Sequence, residues 1–396
     1  MNAKPIKPLD PDFTLGSYRL FRLFGFEVKL NLTWLLLALL IAWTLAAGLF
    51  PADYPGLAQR TYWWMGILGA GGVFLSIVLH ELSHSLVARH FGLPIRGITL
   101  FIFGGVAEME EEPVSPKVEF LMAAAGPLAS FLLALILWRF THLASLWQWP
   151  TAVVGVSHYL AIFNLIVAIF NLIPAFPLDG GRILRAALWY RQKDLCHATR
   201  IASQIGAGFG LVLMTLGGLS LLQGNFIGGM WWFLIGTFLR GAAKTSYQQL
   251  IAHQLLSGIQ VRQLMHLAPI TVSPTTTVAE LVENYVYRHP SRMFPVVEDG
   301  KLLGCIAISS LKYLPKERWA QTKVAELLIP PSSENTVSPQ ADAAKLMAQM
   351  LKPNASTWYM VTDDSQFQGV ISLQSLKEFI ALKLEIESPT QEATLL

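Results

Sequence analysis

Several long runs of apolar residues contain no Asp, Glu, Lys or Arg, and they limit the possible folds of this chain more than any other feature. A helix needs about 20 such residues to cross a bilayer, and charged groups inside the bilayer are costly. Four runs satisfy this need, at residues 30–52, 61–79, 120–138 and 151–171. A longer uncharged stretch, 201–239, is divided in two by a Gln-Gly-Asn turn. The sequence therefore predicts six transmembrane helices.

The overall composition agrees with a membrane protein but indicates two kinds of domain. Hydrophobic residues make up 53% of the chain and charged residues only 14%, whereas soluble domains carry about 25% charged residues. The first 250 residues contain several long stretches without a charge, whereas the last 140 alternate charged and apolar residues as in a soluble domain. We expect a cytoplasmic N-terminal segment at 1–29, a polytopic α-helical membrane domain at 30–244, and a soluble α/β domain after it.

The basic residues predict how the helices are oriented, since Lys and Arg concentrate in cytoplasmic loops. They precede the first predicted helix, separate the fourth from the fifth, and follow the sixth: Lys4, Lys7, Arg19, Arg22 and Lys29; Arg182, Arg185, Arg191, Lys193 and Arg200; Arg240 and Lys244. Both termini and the soluble domain should then be cytoplasmic, with the plasma membrane as the expected location. The net charge of +3 is small and dispersed, so no nucleic-acid partner is indicated.

The second predicted helix continues into His80-Glu81-Leu82-Ser83-His84, an HExxH sequence. Histidines four residues apart share one face of a helix and can bind the same zinc ion. Glu81 would lie beside the metal, where a carboxylate can take a proton from an activated water and return it to the leaving amine. The alternative is a chance match at the end of a helix, but ionisable groups at membrane depth are usually functional.

A catalytic zinc usually has three protein ligands and one open position, so a third donor is needed. Asp179 is the best candidate, because it follows two prolines and precedes two glycines in a segment that starts at Asn171 and must leave the helical conformation. Its alternative role is an ordinary helix N-cap. Asn171 could stabilise an oxyanion through its amide or simply bond a neighbouring helix, and the residues alone leave both roles open.

Residues 95–106, between the second and third predicted helices, alternate in polarity and end in Phe103-Gly104-Gly105. This pattern predicts a short strand or hairpin near the HExxH sequence. Its edge could bind an extended substrate by backbone pairing. An ordinary connecting hairpin is equally compatible with the sequence.

These motifs resemble the site-2 protease family of intramembrane zinc metalloproteases. HExxH matches at residues 80–84, NxxPxxPLDG at residues 171–180, and a small-Gly-Pro element at residues 125–127, all in the family's order. The resemblance implies one zinc ion bound by His80, His84 and Asp179, with Glu81 as general base and Asn171 positioning the substrate or oxyanion. It also implies that Gly104 and Gly105 belong to a membrane-associated hairpin and that the substrates are transmembrane proteins in the bilayer.

The C-terminal part contains an internal repeat with an offset of 65 residues, in which Val272-Ser273-Pro274 corresponds to Val337-Ser338-Pro339. Each copy shows a helical stretch, a hydrophobic strand, a turn and a second strand. The pattern resembles a pair of cystathionine-β-synthase (CBS) domains, which we place at 257–314 and 321–382, with a disordered tail at 383–396. The resemblance implies regulation by adenine nucleotides or pairing into a homodimer.

The nucleotide-binding signature of that family, Thr or Ser followed three residues later by Asp, is incomplete in both copies. The corresponding positions are Ala307 and Ser310 in the first copy and Ser372 and Ser375 in the second. Without either aspartate, adenine-nucleotide binding is doubtful, and no cofactor-binding residue is assigned.

Two other functions remain compatible with parts of the sequence. A CBS-regulated transporter or channel would explain the architecture but leaves HExxH without a role. An inactive protease-like protein that only binds partners would need a broken site, whereas His80, Glu81, His84 and Asp179 are all present.

Overall fold

The structure, a computed structural model, describes residues 17–93, 95–101, 104–109, 113–289, 291–312, 314–352, 355–364 and 366–387. It divides into two compact units, one that ends at Tyr247 and one that begins at Gln248. The first unit contains the motifs that predict a metal site, and the second contains the repeat.

The described residues include six helices that are long and apolar enough to cross a membrane, as predicted. The first span joins α1 (Leu32–Thr44), a π-helical turn (Leu45–Leu49) and α2 (Phe50–Asp53), and the others are α3 (Gln59–His90), α4 (Pro116–Leu146), α5 (Thr151–Asn171), α7 (Leu195–Leu222) and α8 (Phe226–Leu256). Helix α3 extends beyond the apolar run at 61–79, so the HExxH residues belong to the spanning helix itself. A shorter helix, α6 (Asp179–Gln192), lies between α5 and α7 in the chain.

The predicted hairpin is present, but it forms half of a four-stranded sheet. The strands are β1 (Ser17–Leu23), β2 (Phe26–Asn31), β3 (Ile95–Phe101) and β4 (Gly104–Met109), in the order β1-β2-β3-β4. Strands β2 and β3 are parallel, and the other two pairs are antiparallel. Most of β1 and β2 thus fall within the cytoplasmic N-terminal segment expected at 1–29, which the sequence did not predict to contain strands.

The alternation of residues in β2 explains why one of its faces packs against α3. Phe26, Val28 and Leu30 are buried, whereas the residues between them are partly exposed, as expected for a strand with one face on a core. The buried face packs against Val78 and Leu82 of α3. The sheet is thus attached to the helix that carries HExxH, and Leu82 lies within that sequence.

The two edge strands of this sheet differ in charge. On β1, Arg19 and Arg22 both pair with Glu27 of β2, at 3.2 and 2.8 Å. Strand β4 begins at Gly104-Gly105, which oppose Phe101 and Leu100 of β3. The two edges are therefore not equivalent, since β1 carries two paired arginines and β4 carries one acidic residue, Glu108.

The chain reverses between α5 and α6 through a tight non-helical segment. The N–H groups of Ala175 and Leu178 bond to the carbonyls of Ile173 and Ala175, at 2.7 and 2.9 Å. A Cβ at Gly206 of α7 would lie 1.8 Å from the carbonyl oxygen of Phe176, so glycine is required for this approach. The segment is packed closely enough to fix where α6 begins.

The second unit confirms the repeat. Strands β5 (Met293–Glu298) and β6 (Lys301–Ala307) correspond, 65 residues later, to β8 (Trp358–Asp363) and β9 (Gln366–Ser372). With β7 (Thr336–Val337) they form one sheet in the order β5-β6-β9-β8-β7, so the copies join where β6 meets β9. Short helices α9 (Val278–Leu281), α10 (Ile308–Leu311) and α11 (Ala343–Met350) complete the two modules.

The end of the second unit differs from the expectation of a disordered tail at 383–396. Helix α12 (Leu373–Glu387) continues through the first five of these residues. Leu384 is buried in the core of the second module, and the Lys383 ammonium donates a hydrogen bond to the Leu255 carbonyl at 3.2 Å. Residues 388–396 lie outside the described part.

Cys196 and Cys305 form no disulfide among the described residues, as expected for reduced thiols. Cys305 is buried, and this burial raises the pKa of its thiol to about 11. A thiol with so high a pKa stays protonated at neutral pH and is unreactive.

Candidate metal centre

Helix α3 places His80 and His84 on one face, as their spacing predicts. Their rings meet edge to face with centroids 4.9 Å apart, and the two Nε2 atoms are 3.2 Å apart. Both side chains are buried, with residue exposures of 5% and 6%. Two imidazole nitrogens therefore converge on one point inside the helical bundle.

Asp179 joins this pair from α6. Its Oδ2 atom lies 3.1 Å from Nε2 of His80 and 3.2 Å from Nε2 of His84. The N-cap of α6 is Leu178 rather than Asp179, so the ordinary capping role is not the one that Asp179 fills. The three residues form a buried group able to bind a metal ion.

The geometry of these three donors fits zinc. A tetrahedral zinc with ligands at about 2.0–2.1 Å holds neighbouring donor atoms roughly 3.3 Å apart, and the observed separations are 3.1, 3.2 and 3.2 Å. Two imidazoles and one carboxylate are also a donor set that catalytic zinc sites use.

Helix α4 orients both imidazoles through their other nitrogens. Nδ1 of His84 donates to the Met122 carbonyl oxygen at 2.7 Å, which leaves Nε2 with a free lone pair. Nδ1 of His80 lies 2.9 Å from Oγ of Ser130. Such outer contacts fix the ring orientation and the tautomer of metal-binding histidines.

Gly126 supplies the space in which the donors meet. A Cβ atom at this position would lie 2.2 Å from Nε2 of His84 and 2.6 Å from Nε2 of His80. The backbone of α4 therefore lies against the two converging imidazole nitrogens, and a side chain here would clash with both rings.

Glu81 follows the first histidine on α3 and is half-buried. Among the residues that the structure describes, none donates a hydrogen bond to its carboxylate. An uncommitted carboxylate beside the donor group is available to accept a proton, as the sequence predicts for a general base.

Asn171 ends α5, and its side-chain N–H donates to the Val167 carbonyl of the same helix at 3.1 Å. The interhelical role that the sequence left open belongs instead to Asn164, which donates to Oγ of Ser76 on α3 at 2.9 Å. Gly104 and Gly105 start β4, which packs against α3. The structure thus places these predicted residues without assigning them a ligand.

Sequence reasoning missed the contribution of α4. Glu119, Met122, Gly126 and Ser130 are spaced by three, four and four residues and share one helix face. Met122, Gly126 and Ser130 contact the imidazoles, while Glu119 pairs with Arg185 of α6. The sequence singled out Gly126 only as part of the small-Gly-Pro element at 125–127, and the Met122 carbonyl and the Ser130 hydroxyl belong to no recognised motif.

Comparison with known families gives two matches. The model of peptidase family M50 matches residues 68–153 and 141–213, which include all of the donor residues. The CBS domain model matches residues 261–314, the first copy of the repeat.

Full-length relatives also resemble this chain. The putative zinc metalloprotease Rip3 of Mycobacterium tuberculosis is 32% identical over 360 residues, covering 91% of each chain. The putative zinc metalloprotease sll0528 of Synechocystis is 32% identical over 371 residues, covering 93% of this chain and 96% of the relative. A solved site-2 protease from Methanocaldococcus jannaschii is 31% identical, with a TM-score of 0.40, and the match covers 58% of this chain and 94% of that one.

Replacing Gly126 by alanine should weaken zinc binding, because the new Cβ displaces both imidazoles. We expect the zinc affinity, measured by competition with a chromophoric chelator, to fall about 10- to 100-fold or more, the range for lost supporting contacts. Gly218→Ala in α7 is the matched control, since its Cβ meets no atom within 4 Å. Equal zinc affinities in the two variants would contradict this account of Gly126.

Proposed function

The chain belongs to peptidase family M50 and is a multi-pass membrane zinc metalloprotease of the site-2 type, and we propose that it hydrolyses peptide bonds within or next to transmembrane segments of other membrane proteins. The relatives that cover nine-tenths of its length support the zinc metalloprotease activity. Family membership also argues against the transporter or channel. The location of the cleaved bond is the part that we infer.

One observation carries this inference: the donor group is buried between helices that are long enough to cross a membrane. His80 and His84 lie on the spanning helix α3, and their supporting contacts come from the spanning helix α4. A peptide bond must reach this group to be cut. Segments that already lie in or beside the bilayer have the shortest route to it.

We assign the metal ligands as His80, His84 and Asp179, with Glu81 as the general base. When bound, zinc supplies a Lewis acid that makes water nucleophilic near neutral pH. Glu81 takes the proton from the attacking water and gives it to the leaving amine nitrogen, which requires a carboxylate free of other partners. Its lack of hydrogen-bond donors among the described residues supports this role.

Asn171 is proposed to donate a hydrogen bond to the oxyanion that forms at the scissile carbonyl. Its amide N–H now bonds within its own helix, to Val167. The amide can serve the substrate by exchanging this local bond for one to the oxyanion. The exposed position of the next residue, Leu172, keeps this end of α5 accessible.

The unpaired side of β4 is the proposed binding place for the substrate. In the described sheet β4 pairs only with β3, and it packs against α3. A substrate strand added there would be extended, which exposes the peptide bonds that a helix protects. Residues that destabilise helices should therefore favour cleavage of a transmembrane segment.

The orientation of the chain in the membrane and the regulatory role of the second unit are further proposals. The basic loops favour cytoplasmic termini, and the plasma membrane is the proposed location. In the second CBS copy, Oγ of Ser372 bonds to the hydroxyl and N–H of Ser375 at 2.8 and 3.0 Å. Ser375 occupies the position of the missing aspartate, so we propose that the CBS pair forms a homodimer instead of binding an adenine nucleotide.

The activity should depend on zinc and on Glu81. We expect purified protein in detergent to bind about one zinc per chain and to cleave single-span reporter peptides. Glu81→Gln should keep the metal, because Glu81 is not a ligand, but should lose at least about 100-fold in cleavage rate, the range for lost acid–base catalysis. Chelation should abolish cleavage by the wild type.

Two results would contradict the assignment. Cleavage that survives Glu81→Gln would exclude the proposed base. A wild type that binds zinc, yet leaves a broad panel of single-span reporters intact while cutting soluble peptides, would exclude the intramembrane specificity.

Substituting Asn171 should separate catalysis from metal binding. Neither Asn171→Ala nor Asn171→Asp can donate from the side chain at neutral pH, so both should lower kcat about 100- to 1000-fold, the range for a lost oxyanion donor. Zinc affinity should stay unchanged, because Asn171 does not contact the donor group. An Asn171→Asp variant with wild-type kcat would show that donation is not its role.

Cysteine cross-linking should detect the substrate strand. In a Glu81→Gln background without Cys196 and Cys305, Gly104→Cys and Gly105→Cys should each cross-link to cysteines scanned along a bound substrate. Successive strand residues point to opposite faces, so the two should prefer substrate positions offset by one and repeating every two residues. Val114→Cys, 72% exposed, is the control. The same yields at all positions would argue against strand pairing.

A further inference from the structure

A buried ion pair links α4 to α6 beside the metal centre. Arg185 of α6 donates from Nε to Oε1 of Glu119 at 2.5 Å, and its Nη2 contacts the same oxygen. The residue exposures are 0% for Glu119 and 3% for Arg185. Both charges are therefore removed from water and lipid alike.

A buried ion pair contributes little to the stability of the folded state, because the cost of desolvating both charges offsets much of their attraction. Apolar residues of similar volume often serve a buried core equally well. Ionisable groups inside membrane domains usually mark functional places. The position of this pair in the fold therefore needs an explanation beyond packing.

The Glu119 end of the pair lies on the face of α4 that orients both histidines. Glu119 is one helical turn from Met122, which accepts from His84, and it shares its face with Gly126 and Ser130. The carboxylate is thus a fixed point on the same rigid element that sets the imidazole rings.

The Arg185 end of the pair lies on the helix that begins with the third ligand. Asp179 is the first residue of α6, and Arg185 follows within the next two turns. The guanidinium also stacks on the ring of Phe176, 5.2 Å from its centroid, in the segment that leads to Asp179. Arg185 therefore lies on the helix that follows Asp179 and also contacts Phe176, in the segment that precedes Asp179.

We propose that Glu119 and Arg185 are positioning residues, which hold α6 against α4 so that the Asp179 carboxylate meets the two imidazoles. The link adds a polar contact with α4 to the packing against α7 that already fixes where α6 begins. The inference rests on the proposed ligand set, and it extends the site to an ion pair that touches neither metal nor substrate. Supporting contacts of this kind decide whether a ligand group is held closely enough to bind.

The test measures zinc affinity by chelator competition on the full-length protein in detergent. Glu119→Gln/Arg185→Gln is the main variant, because each single change leaves an uncompensated buried charge that can unfold the protein. We expect the double amide variant to bind zinc about 10- to 100-fold more weakly. Arg185→Lys keeps the charge but loses the forked contact, so it should show a smaller loss. Arg139→Gln, an exposed arginine on α4, is the control.

A double-mutant cycle with Asp179 distinguishes positioning from general destabilisation. In an Asp179→Asn background, the double amide change should alter zinc affinity by less than about twofold, because the ligand through which the pair acts has already been removed. The absorption bands of the Co²⁺-substituted double amide variant should also shift towards those of Asp179→Asn, because both lose the same ligand.

Each outcome decides the matter. Two results overturn the positioning role while leaving the protease assignment intact. One is an equal loss of zinc affinity when the double amide change is made in the wild type and in Asp179→Asn. The other is a wild-type zinc affinity in both Glu119→Gln/Arg185→Gln and Arg185→Lys. A wild-type protein that binds no zinc overturns the proposed function and this inference with it.

Discussion

The meeting of two imidazoles and one carboxylate away from water is the constraint on which the first unit depends. Nε2 of His80, Nε2 of His84 and Oδ2 of Asp179 lie within 3.1–3.2 Å of one another, a separation that is unfavourable for lone pairs unless a cation or proton lies between them. Helix α4 makes this arrangement possible through a carbonyl, a hydroxyl and a missing side chain, all on one face. The fold is thus organised around a helix that contributes no ligand, and the catalytic geometry is decided by how closely its neighbours approach it.

The three residues that meet at the candidate metal centre could be predicted from the sequence because their spacing and neighbours carry the chemistry locally. HExxH is readable on any helix, and the prolines and glycines around Asp179 reveal a forced turn. The role of α4 was not readable, since its contribution depends on contacts with residues up to 66 positions away. The strands at residues 17–31 were missed although Phe26, Val28 and Leu30 alternate with polar residues, because the positive charges nearby were used only to orient the helices. Their partner β3 lies beyond two membrane helices, and no local pattern identifies such a pairing.

The strands of the second unit were easier to predict because each sequence pattern occurs twice, once in each copy of the repeat. An offset of 65 residues relates β5 to β8 and β6 to β9 without any shift, so the strand predictions in each copy supported those in the other. The end of α12 was less predictable, since its polar last turn is fixed by Leu384 and by the bond from Lys383 to Leu255, a contact across 128 residues. Termini that return to a core in this way are ordered by tertiary packing rather than by their own composition.

The difference between the two edges of the first sheet bears on how many substrate segments one protein molecule can bind. Strand β1 ends the sheet with two arginines paired with Glu27, whereas β4 begins with two glycines and contains one acidic residue, Glu108. A substrate strand bound as proposed would be added at β4, on one side of the sheet. Each protein molecule would engage a single segment at a time, and copies of the enzyme crowded in a membrane would not polymerise edge to edge through this sheet.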